Sequence, residues 1–186
     1  MRVISGSRRG KKLSVPTGLT TRPTSDRVKE SLFNILSNCL DLSGSEVLDI
    51  CAGTGGLGIE SLSRGAASCC FIEKDGTSRK ILDKNISDAA FNDESTVLMM
   101  DVSVALPLLV RQAKHFNLVF FDPPYDSLLY DTVPGFIEGS GLLVTGAIFV
   151  AECSARSRLA DAYGTLRRFD RRSYGDTALE LFIMEV

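Results

Sequence analysis

The chain has 186 residues, 44% of them hydrophobic and 24% charged, and a formal net charge of −2, values typical of one globular domain. Five cysteines without a Cys-x-x-Cys spacing argue against a disulfide framework or a zinc site, and the single histidine, His115, argues against a histidine-based metal centre. The sequence shows neither an apolar leader nor an apolar run long enough to cross a membrane, so we expect a cytoplasmic protein without bound metal.

Residues 1–20 are predicted to form a basic extension that contains a small β-hairpin. Extended segments near residues 2–5 and 11–15 flank a turn that contains Gly6 and Gly10. The first 30 residues hold eight basic and two acidic residues, whereas the rest of the chain holds thirteen basic and twenty-one acidic ones. A basic end on an acidic body indicates an anionic partner such as nucleic acid.

Residues 21–186 are predicted to form the main body of the same domain. A helix begins near Thr24 or Ser25, which suit the N-cap position after Pro23. Short apolar strands are then predicted over residues 46–50, 68–73, 96–100, 118–121 and 147–151. Helices are predicted between them over residues 58–64, 77–90, 102–114 and 128–138.

This alternation predicts an α/β fold of the Rossmann-like class. Strands separated by helices form a parallel sheet with right-handed crossovers. The chain ends differently, because residues 166–173 and 177–185 are both extended and Gly175 lies between them. These segments predict a terminal antiparallel hairpin on the sheet edge, which gives a mostly parallel, seven-stranded sheet.

A glycine-rich loop follows the first strand of the alternating region. Gly53, Gly55 and Gly58 match the spacing Gly-x-Gly-x-x-Gly between a strand and a helix, the setting in which this pattern indicates a nucleotide cofactor. Glycine lets the backbone turn sharply and approach a ligand closely. Glu73 comes twenty residues after Gly53, at the end of the second strand, where a carboxylate can accept the ribose hydroxyls of an adenosine.

Two further carboxylates favour S-adenosylmethionine over a dinucleotide as that cofactor. Asp49 precedes the loop, where it can meet the cofactor's ammonium group directly or through water. Asp101 ends the third strand, where it can hold the adenine amino group beside Val102, although it is equally suited to cap the following helix. The residues predicted to bind the cofactor are Asp49, Cys51, Ala52, Gly53, Thr54, Gly55, Gly58, Glu73, Lys74, Asp101, Val102 and Asp122.

The fourth strand ends in Asp122-Pro123-Pro124-Tyr125, the residues predicted to be catalytic. Ligands bind outside the carboxyl ends of strands in an open parallel sheet, so these residues are expected to face the cofactor. The prolines fix the backbone and offer carbonyl groups without N–H donors. An exocyclic base amine needs such acceptors, because its lone pair is delocalised into the ring. Asp122 and the Pro123 carbonyl can accept its hydrogens, and Tyr125 offers an aromatic face to a base swung out of its stack.

These motifs resemble those of methyltransferases that modify base amines, and the chain as a whole resembles the RsmD family. The most specific part of the resemblance is RPTSDRVKESLFN, from Arg22 to Asn34. Other similar segments are ISGSRRGKKL, LDICAGTGGLGIESLSRGA, FIEKD, FFDPPY and YGDTALELF. The resemblance implies a single methyltransferase domain over residues 1–186, with residues 21–186 as its catalytic core. It also implies S-adenosylmethionine-dependent methylation of a guanine N2 amine in bacterial 16S ribosomal RNA of the small subunit.

The resemblance further implies an RNA-binding surface, and a monomer is the simplest expectation for the oligomeric state. The residues assigned to that surface are Arg8, Arg9, Lys11, Lys12, Arg22, Thr24 and Arg27. The hairpin residues would contact RNA phosphates, whereas the Arg8-Arg9 pair departs from the aromatic–arginine pair frequent in relatives, which leaves its charge but removes a stacking role. The C-terminal arginines either extend this surface or guard an exposed edge strand with charge. They are Arg167, Arg168, Arg171 and Arg172.

Three alternatives also fit parts of the sequence. Asp-Pro-Pro-Tyr serves adenine-N6 methylation of DNA or RNA as well, although 186 residues leave no room for a separate target-recognition domain. A nicotinamide-dependent oxidoreductase fits the glycine loop but gives no reason for Asp-Pro-Pro-Tyr. A non-catalytic RNA-binding protein could keep the fold without the chemistry, because a fold alone does not settle function.

Overall fold

The computed structural model describes residues 1–16 and 26–186. Within these residues the chain forms five α-helices and eight β-strands. The helices are α1 (Asp26–Leu36), α2 (Gly56–Ser63), α3 (Gly76–Asp88), α4 (Val102–Arg111) and α5 (Leu129–Gly139). The strands are β1 (Glu46–Ile50), β2 (Ser68–Ile72), β3 (Ser95–Leu98), β4 (Phe116–Phe121), β5 (Leu143–Ser154), β6 (Ala162–Tyr163), β7 (Leu166–Tyr174) and β8 (Thr177–Met184). The predicted helix start at Thr24 or Ser25 lies outside the described residues.

The strands form one sheet in the order β3-β2-β1-β4-β5-β8-β7-β6. β1 to β5 run parallel to one another, whereas β8 and β7 pair in the antiparallel direction. The α/β class, the mostly parallel sheet and the terminal antiparallel hairpin are therefore confirmed. The described sheet has eight strands instead of seven, because Ala162–Tyr163 pairs with β7 at the edge. A two-residue strand is too short to leave a periodic signal in the sequence.

Alternate strand residues point to opposite faces of the sheet, and helices cover both faces. α1, α2 and α3 pack on one face, where Phe33 lies 5.9 Å from Phe120, measured between ring centroids. α4 and α5 pack on the other face, where Phe121 lies 5.8 Å from Phe149. Burial on both faces explains why β4 is almost continuously apolar. None of the described helices is long and apolar enough to cross a membrane.

The basic extension forms a small hairpin, as the sequence predicted. Arg2 and Lys12 form an antiparallel bridge, and the Val3 N–H donates to the Lys11 carbonyl at 2.9 Å. Val3 and Leu13 are buried in the core that α1, α2 and α3 share. The hairpin therefore packs against the body of the fold through its apolar side chains.

Candidate active site at the carboxyl edge of the sheet

The strand order reverses at β1 and β4, which are neighbours near the centre of the sheet. They are parallel and in register, with Asp49 opposite Phe120 and Ile50 opposite Phe121. The Asp122 N–H donates to the Ile50 carbonyl at 3.3 Å, so the chain leaves both strands at the same level. Such a reversal opens a crevice at the carboxyl ends of the strands. The glycine loop after β1 and the tetrapeptide after β4 therefore border one crevice.

Two glycines of the loop are required for different reasons. Gly53 has a φ of +55°, a left-handed conformation that favours glycine, and a Cβ there would meet no atom within 4 Å. This open space lets a ligand lie against the backbone. At Gly58, a Cβ would lie 2.3 Å from the Phe71 ring and 2.6 Å from the Cys69 sulfur. Gly58 therefore permits the close approach of α2 to β2.

Two carboxylates hold the glycine loop in place. Asp49 is buried, and its Oδ2 accepts a hydrogen bond from the Gly58 N–H at 2.9 Å. Glu73 follows β2, and its two oxygens accept from the N–H groups of Gly53 at 2.8 Å and Asp75 at 2.7 Å. A carboxylate has about four acceptor positions, so Glu73 retains capacity for hydroxyl donors. Asp49 and Glu73 thus border the crevice, and both also shape its loop.

Asp101 caps α4, the alternative that the sequence left open. Its Oδ1 accepts from the Ser103 N–H at 3.0 Å and the Ser103 hydroxyl at 2.8 Å. Its Oδ2 accepts from the Lys74 ammonium at 3.1 Å. These hydrogen bonds, led by that from the Ser103 backbone, lower the pKa of Asp101 to about 2. The next residue, Val102, is the first residue of α4 and is buried. At the surface, the Lys74–Asp101 pair joins the segments that follow β2 and β3.

Acidic side chains gather where β1, β4 and β5 end. Burial, together with the carboxylates of Glu152 and Asp49, raises the pKa of Asp122 well above its ordinary value. Burial, with a smaller contribution from Glu73, raises the pKa of Asp49 to about 7. Cys51, which has a φ of +61°, lies among these groups, and burial and the nearby carboxylates raise the pKa of its thiol to about 12. A cationic ligand would relieve the repulsion within this acidic cluster.

Two tyrosines fix the tetrapeptide. The Tyr130 hydroxyl contacts the carbonyl oxygens of Glu152 at 2.7 Å and Pro123 at 3.1 Å, which links the tetrapeptide to β5. The hydroxyl has one proton and each carbonyl has two lone pairs, so Pro123 retains acceptor capacity. The Tyr125 hydroxyl is hydrogen-bonded to the Thr177 hydroxyl at 2.7 Å, and Tyr125 as a whole is 46% exposed. An anchored hydroxyl and an exposed ring suit stacking against a base.

The basic hairpin is fixed to the fold by its backbone. Glu60 of α2 is fully buried and accepts hydrogen bonds from the N–H groups of Ile4 at 2.7 Å and Ser5 at 3.0 Å. Lys29 of α1 pairs with Glu60 at 3.3 Å and donates to the Arg2 carbonyl at 2.6 Å. Backbone anchoring leaves the basic side chains at the surface. The exposed basic residues of the hairpin are Arg2, Arg8, Arg9, Lys11 and Lys12.

Arg8 differs from the other basic residues of the hairpin. Its Nε donates to the Ala89 carbonyl at 2.7 Å, and its guanidinium lies 5.3 Å from the centroid of the Phe91 ring. Arg8 is thus anchored at the end of α3. Arg27 is exposed on α1, whereas Arg22 and Thr24 lie outside the described residues.

The C-terminal arginines fall into two classes. Arg168 and Arg171 bind Glu180, which is fully buried on β8, at 2.7 Å and 3.1 Å. Arg167 and Arg172 have largely exposed side chains that form surface ion pairs. Arg168 and Arg171 help to hold β7 and β8 together. Of these four arginines, only Arg167 and Arg172 could contact a ligand without breaking a buried contact.

Several polar residues in or near the core were not anticipated from the sequence, and four of them contact the hairpin, the glycine loop or the tetrapeptide. Asn85 and Glu60 are fully buried on helices, Glu152 is buried on β5, and Tyr130 lies at the start of α5. Asn85 lies three residues after Leu82 and four before Ala89, on the stripe of α3 that the sequence predicts to face the core. A polar residue on a core-facing stripe is a usable signal, because buried polar groups almost always have hydrogen-bond partners.

Comparison with known proteins assigns the chain to a family. A family model described as conserved hypothetical protein 95 matches residues 1–183. Ribosomal RNA small subunit methyltransferase D of Escherichia coli K12 is 32% identical, over 100% of this chain and 90% of that protein. The chain belongs to this family, the RsmD family. The resemblance indicated by the sequence motifs is therefore confirmed, and the chain is a member of a methyltransferase family.

Solved structures place the RsmD-family chain in a wider fold group. A hypothetical protein from Thermus thermophilus matches with a TM-score of 0.85 and 30% identity, over 100% of this chain and 99% of that one. An RNA methyltransferase from Salinibacter ruber, solved with S-adenosyl-L-homocysteine, matches with a TM-score of 0.65 over 88% of this chain and 94% of that one. Its 15% identity makes this a likeness of fold. The fold is shared with structures of S-adenosylmethionine-dependent methyltransferases.

The residues of the crevice fit S-adenosylmethionine as the cofactor. S-adenosylmethionine carries a positive sulfonium and a positive ammonium group, and the clustered carboxylates of Asp49 and Asp122 supply the opposite charge. Gly53 leaves open space against the backbone, and Glu73 retains acceptor capacity. Across residues 1–16 and 26–186, no group of histidine, cysteine and carboxylate side chains is suited to hold a metal ion.

Proposed function

We propose that this chain transfers a methyl group from S-adenosylmethionine to the N2 amine of a guanine in 16S ribosomal RNA. The observation that carries the proposal is the position of Asp122 and the Pro123 carbonyl beside the glycine loop at the reversal of strand order. The name of the E. coli relative supports small-subunit ribosomal RNA as the substrate. The choice of guanine N2 rests on the RsmD resemblance together with the acceptors that suit an exocyclic amine.

The chain's own part in the chemistry is to orient the amine and receive its proton. When bound, S-adenosylmethionine supplies an electrophilic methyl group. Asp122 and the Pro123 carbonyl accept the two amine hydrogens and so turn the nitrogen lone pair out of the ring. The Pro124 carbonyl accepts from the Ser127 N–H at 2.9 Å within the turn, so hydrogen bonds hold both proline carbonyls in place. The nitrogen gains a methyl group and loses one proton, which Asp122 receives. Acceptors held in place lower the barrier because they need no reorganisation.

The target base is held by Tyr125. A base inside a helix must leave its stack to reach the crevice, and an aromatic surface compensates part of the lost stacking. The hydrogen bond to Thr177 fixes the position of the Tyr125 hydroxyl, so the exposed ring is already held in place before RNA binds.

The cofactor-binding roles follow the order of the strands. Glu73 accepts the ribose hydroxyls, and the negative charge of Asp49 attracts the ammonium group. Asp101 and Val102 border the adenine, with Lys74 as the ion-pair partner of Asp101. The backbone from Cys51 to Gly55 lies against the amino-acid portion of the cofactor.

The RNA surface is the basic hairpin with the neighbouring part of α1. Arg9, Lys11 and Lys12 are exposed on a backbone that Glu60 holds in place, so they can contact phosphates without disturbing the fold. Arg27 extends this surface on α1. We propose that the enzyme acts as a monomer on the small subunit or its assembly intermediate.

The proposal is tested by methyl transfer from isotope-labelled S-adenosylmethionine to small ribosomal subunits that lack the modification, followed by nucleoside mass spectrometry. The expected product is N2-methylguanosine. Asp122→Ala is expected to lower the rate by about 100- to 1,000-fold, because one fixed acceptor of the reacting group is lost. Its affinity for S-adenosylhomocysteine, measured by calorimetry, should stay within about threefold of the parent, since the loop contacts of Asp49 and Glu73 remain.

Asp126→Ala is the matched control, because Asp126 is an exposed acid in the same turn and should leave the rate unchanged. N6-methyladenosine as the product would keep the mechanism and change the base. Bound cofactor without any labelled nucleoside would contradict the proposed substrate. A large loss of cofactor affinity in Asp122→Ala would contradict the role given to Asp122.

A further inference from the structure

One fully buried amide joins the glycine loop to the basic hairpin segment. Asn85 of α3 accepts a hydrogen bond from the Ser14 N–H at 2.7 Å through its Oδ1. Its Nδ2 donates to the Ser14 carbonyl at 3.0 Å and to the Thr54 carbonyl at 2.9 Å. Asn85 is 71 positions from Ser14 and 31 from Thr54 in sequence, so this contact exists only in the folded chain.

The residue type at position 85 matches what this place requires. Ser14 presents both a donor and an acceptor to the side chain, and Thr54 presents an acceptor. Only an amide side chain offers one acceptor and two donors at once, so neither a carboxylate nor a hydroxyl can satisfy all three contacts. Removing the donor from the partly buried carbonyls of Ser14 and Thr54 would therefore destabilise the fold.

The contact also reaches the loop at its most adaptable point. Thr54 lies between Gly53 and Gly55, whose φ values are +55° and +80°. Glycines flanking a residue allow it many conformations, so the anchored carbonyl of Thr54 restricts the loop strongly. On the other side, Ser14 follows the hairpin residues Lys11 and Lys12 closely in sequence.

We propose that Asn85 is a positioning residue that couples the cofactor loop to the basic hairpin. A ligand that orders the loop around Thr54 also tightens the contact at Ser14, because one rigid amide holds both. The hairpin's role in RNA binding rests on the function proposed above, whereas the coupling from loop to hairpin requires only that the cofactor binds.

The first test uses the unaltered protein and needs no variant. Residue-resolved hydrogen exchange is measured for the Ser14 amide with and without saturating S-adenosylhomocysteine. Exchange is expected to slow by about fivefold or more, the lower end of common coupling between sites. Ligand binding with unchanged exchange at Ser14 would overturn the coupling and leave the proposed function standing. Failure of the ligand to bind would instead count against the proposed function.

The second test compares two variants that each remove a contact of the hairpin. Asn85→Asp places an oxygen where Nδ2 donates to Ser14 and Thr54, and is expected to weaken S-adenosylhomocysteine binding by about tenfold or more. Ser63→Ala is the matched control, because the buried Ser63 hydroxyl binds the hairpin instead of the loop. It donates to the Ser5 carbonyl at 2.6 Å and accepts from the Arg8 N–H at 2.9 Å. Ser63→Ala should leave the ligand affinity within about twofold of the parent.

Thermal melting decides whether each variant is folded before its affinity is compared. If Asn85→Asp does not fold, Asn85→Ala takes its place, since it removes the amide without adding a charge, and the same difference from Ser63→Ala is expected. In a folded Asn85 variant, the effect of the ligand on Ser14 exchange should also be lost. A folded Asn85 variant with parental affinity, or an equal loss in Ser63→Ala, would show that the amide serves only the general stability of the fold.

Discussion

The two hairpins of the chain are both rich in basic residues, but they use the charges in opposite ways. In the C-terminal hairpin, Arg168 and Arg171 surround Glu180, whose side chain is fully buried. In the N-terminal hairpin, the cations lie at the surface, because the buried Glu60 accepts from backbone N–H groups of the hairpin and takes its cationic partners, Lys29 and Arg64, from α1 and the end of α2. Similar composition therefore gives buried ion pairs that join two strands at one end and an exposed basic surface at the other.

The acidic groups show the same contrast. Glu180 faces two guanidinium groups, whereas Asp49 and Asp122 lie close enough to other carboxylates for the pKa of each to be raised. Opposite charges in contact stabilise the fold, and like charges held together are best explained by a ligand of the opposite sign. On this interpretation the acidic crevice takes a cationic cofactor and the basic hairpin takes RNA.

The largest effect is expected from removing Glu180, the buried carboxylate that Arg168 and Arg171 share. Glu180→Ala leaves the almost fully buried Arg168 guanidinium without its main partner, and should lower the free energy of unfolding by about 3–5 kcal/mol. Glu185→Ala, which breaks the exposed pair with Arg167, should cost less than about 1 kcal/mol. Denaturant unfolding measures both. Equal losses would remove the distinction between buried and surface pairs.

The next effect separates the surface cations of the two ends. Replacing Arg9, Lys11 and Lys12 together by Gln should weaken RNA binding and reduce the salt slope by about 2 to 3, since each lost phosphate contact removes about 0.7 to 0.9. The matched triple replaces cations that already have carboxylate partners on the surface. That control substitutes Arg158, Arg167 and Arg172 by Gln. An unchanged slope for the hairpin triple in binding titrations over a salt series would remove the hairpin from the RNA surface, whereas an equal reduction for both triples would extend that surface to the C-terminal arginines.

A smaller effect concerns the protons of the acidic crevice. The pKa of Asp49 is about 7, so at pH 6 the carboxyl is mostly protonated. A bound cation favours the ionised form, so S-adenosylmethionine binding at pH 6 should release up to about one proton from this group, and affinity should rise as the pH rises from 5 to 8. Calorimetry in two buffers of different ionisation enthalpy measures the release. Asp49→Asn, which keeps an acceptor for the Gly58 N–H, should release less, and an unchanged release would reject Asp49 as its source.

The smallest effect tests Arg8, a hairpin cation whose side chain contacts the end of α3. Arg8→Ala loses the hydrogen bond to Ala89 and the contact with the Phe91 ring, and should lower the free energy of unfolding by about 1 kcal/mol. Arg9→Ala should stay within about 0.5 kcal/mol of the parent, as is usual for an exposed side chain. The reverse order in thermal or denaturant unfolding would mean that the contacts of Arg8 contribute nothing.

Local patterns were enough to predict most of the fold. The alternation of strands and helices, the glycine spacing and the position of Asp-Pro-Pro-Tyr after an apolar strand all reflect contacts between residues close in sequence. β6 escaped notice because two residues carry no period, and its pairing depends on β7 already being in place. The roles of Arg168 and Arg171 stayed undecided because their partner Glu180 lies on another strand.

The sequence by itself determined the α/β class, the family and the segments that border the crevice, since each depends on residue type and short-range spacing. Only the tertiary structure decided which charged groups contact a group of opposite charge and which lie close to groups of the same charge. Asp101 caps α4, Arg168 forms an ion pair with the buried Glu180, and Asn85 joins Ser14 to Thr54. Most of these contacts join residues distant in sequence, and their strength depends on burial, which only the packed fold creates.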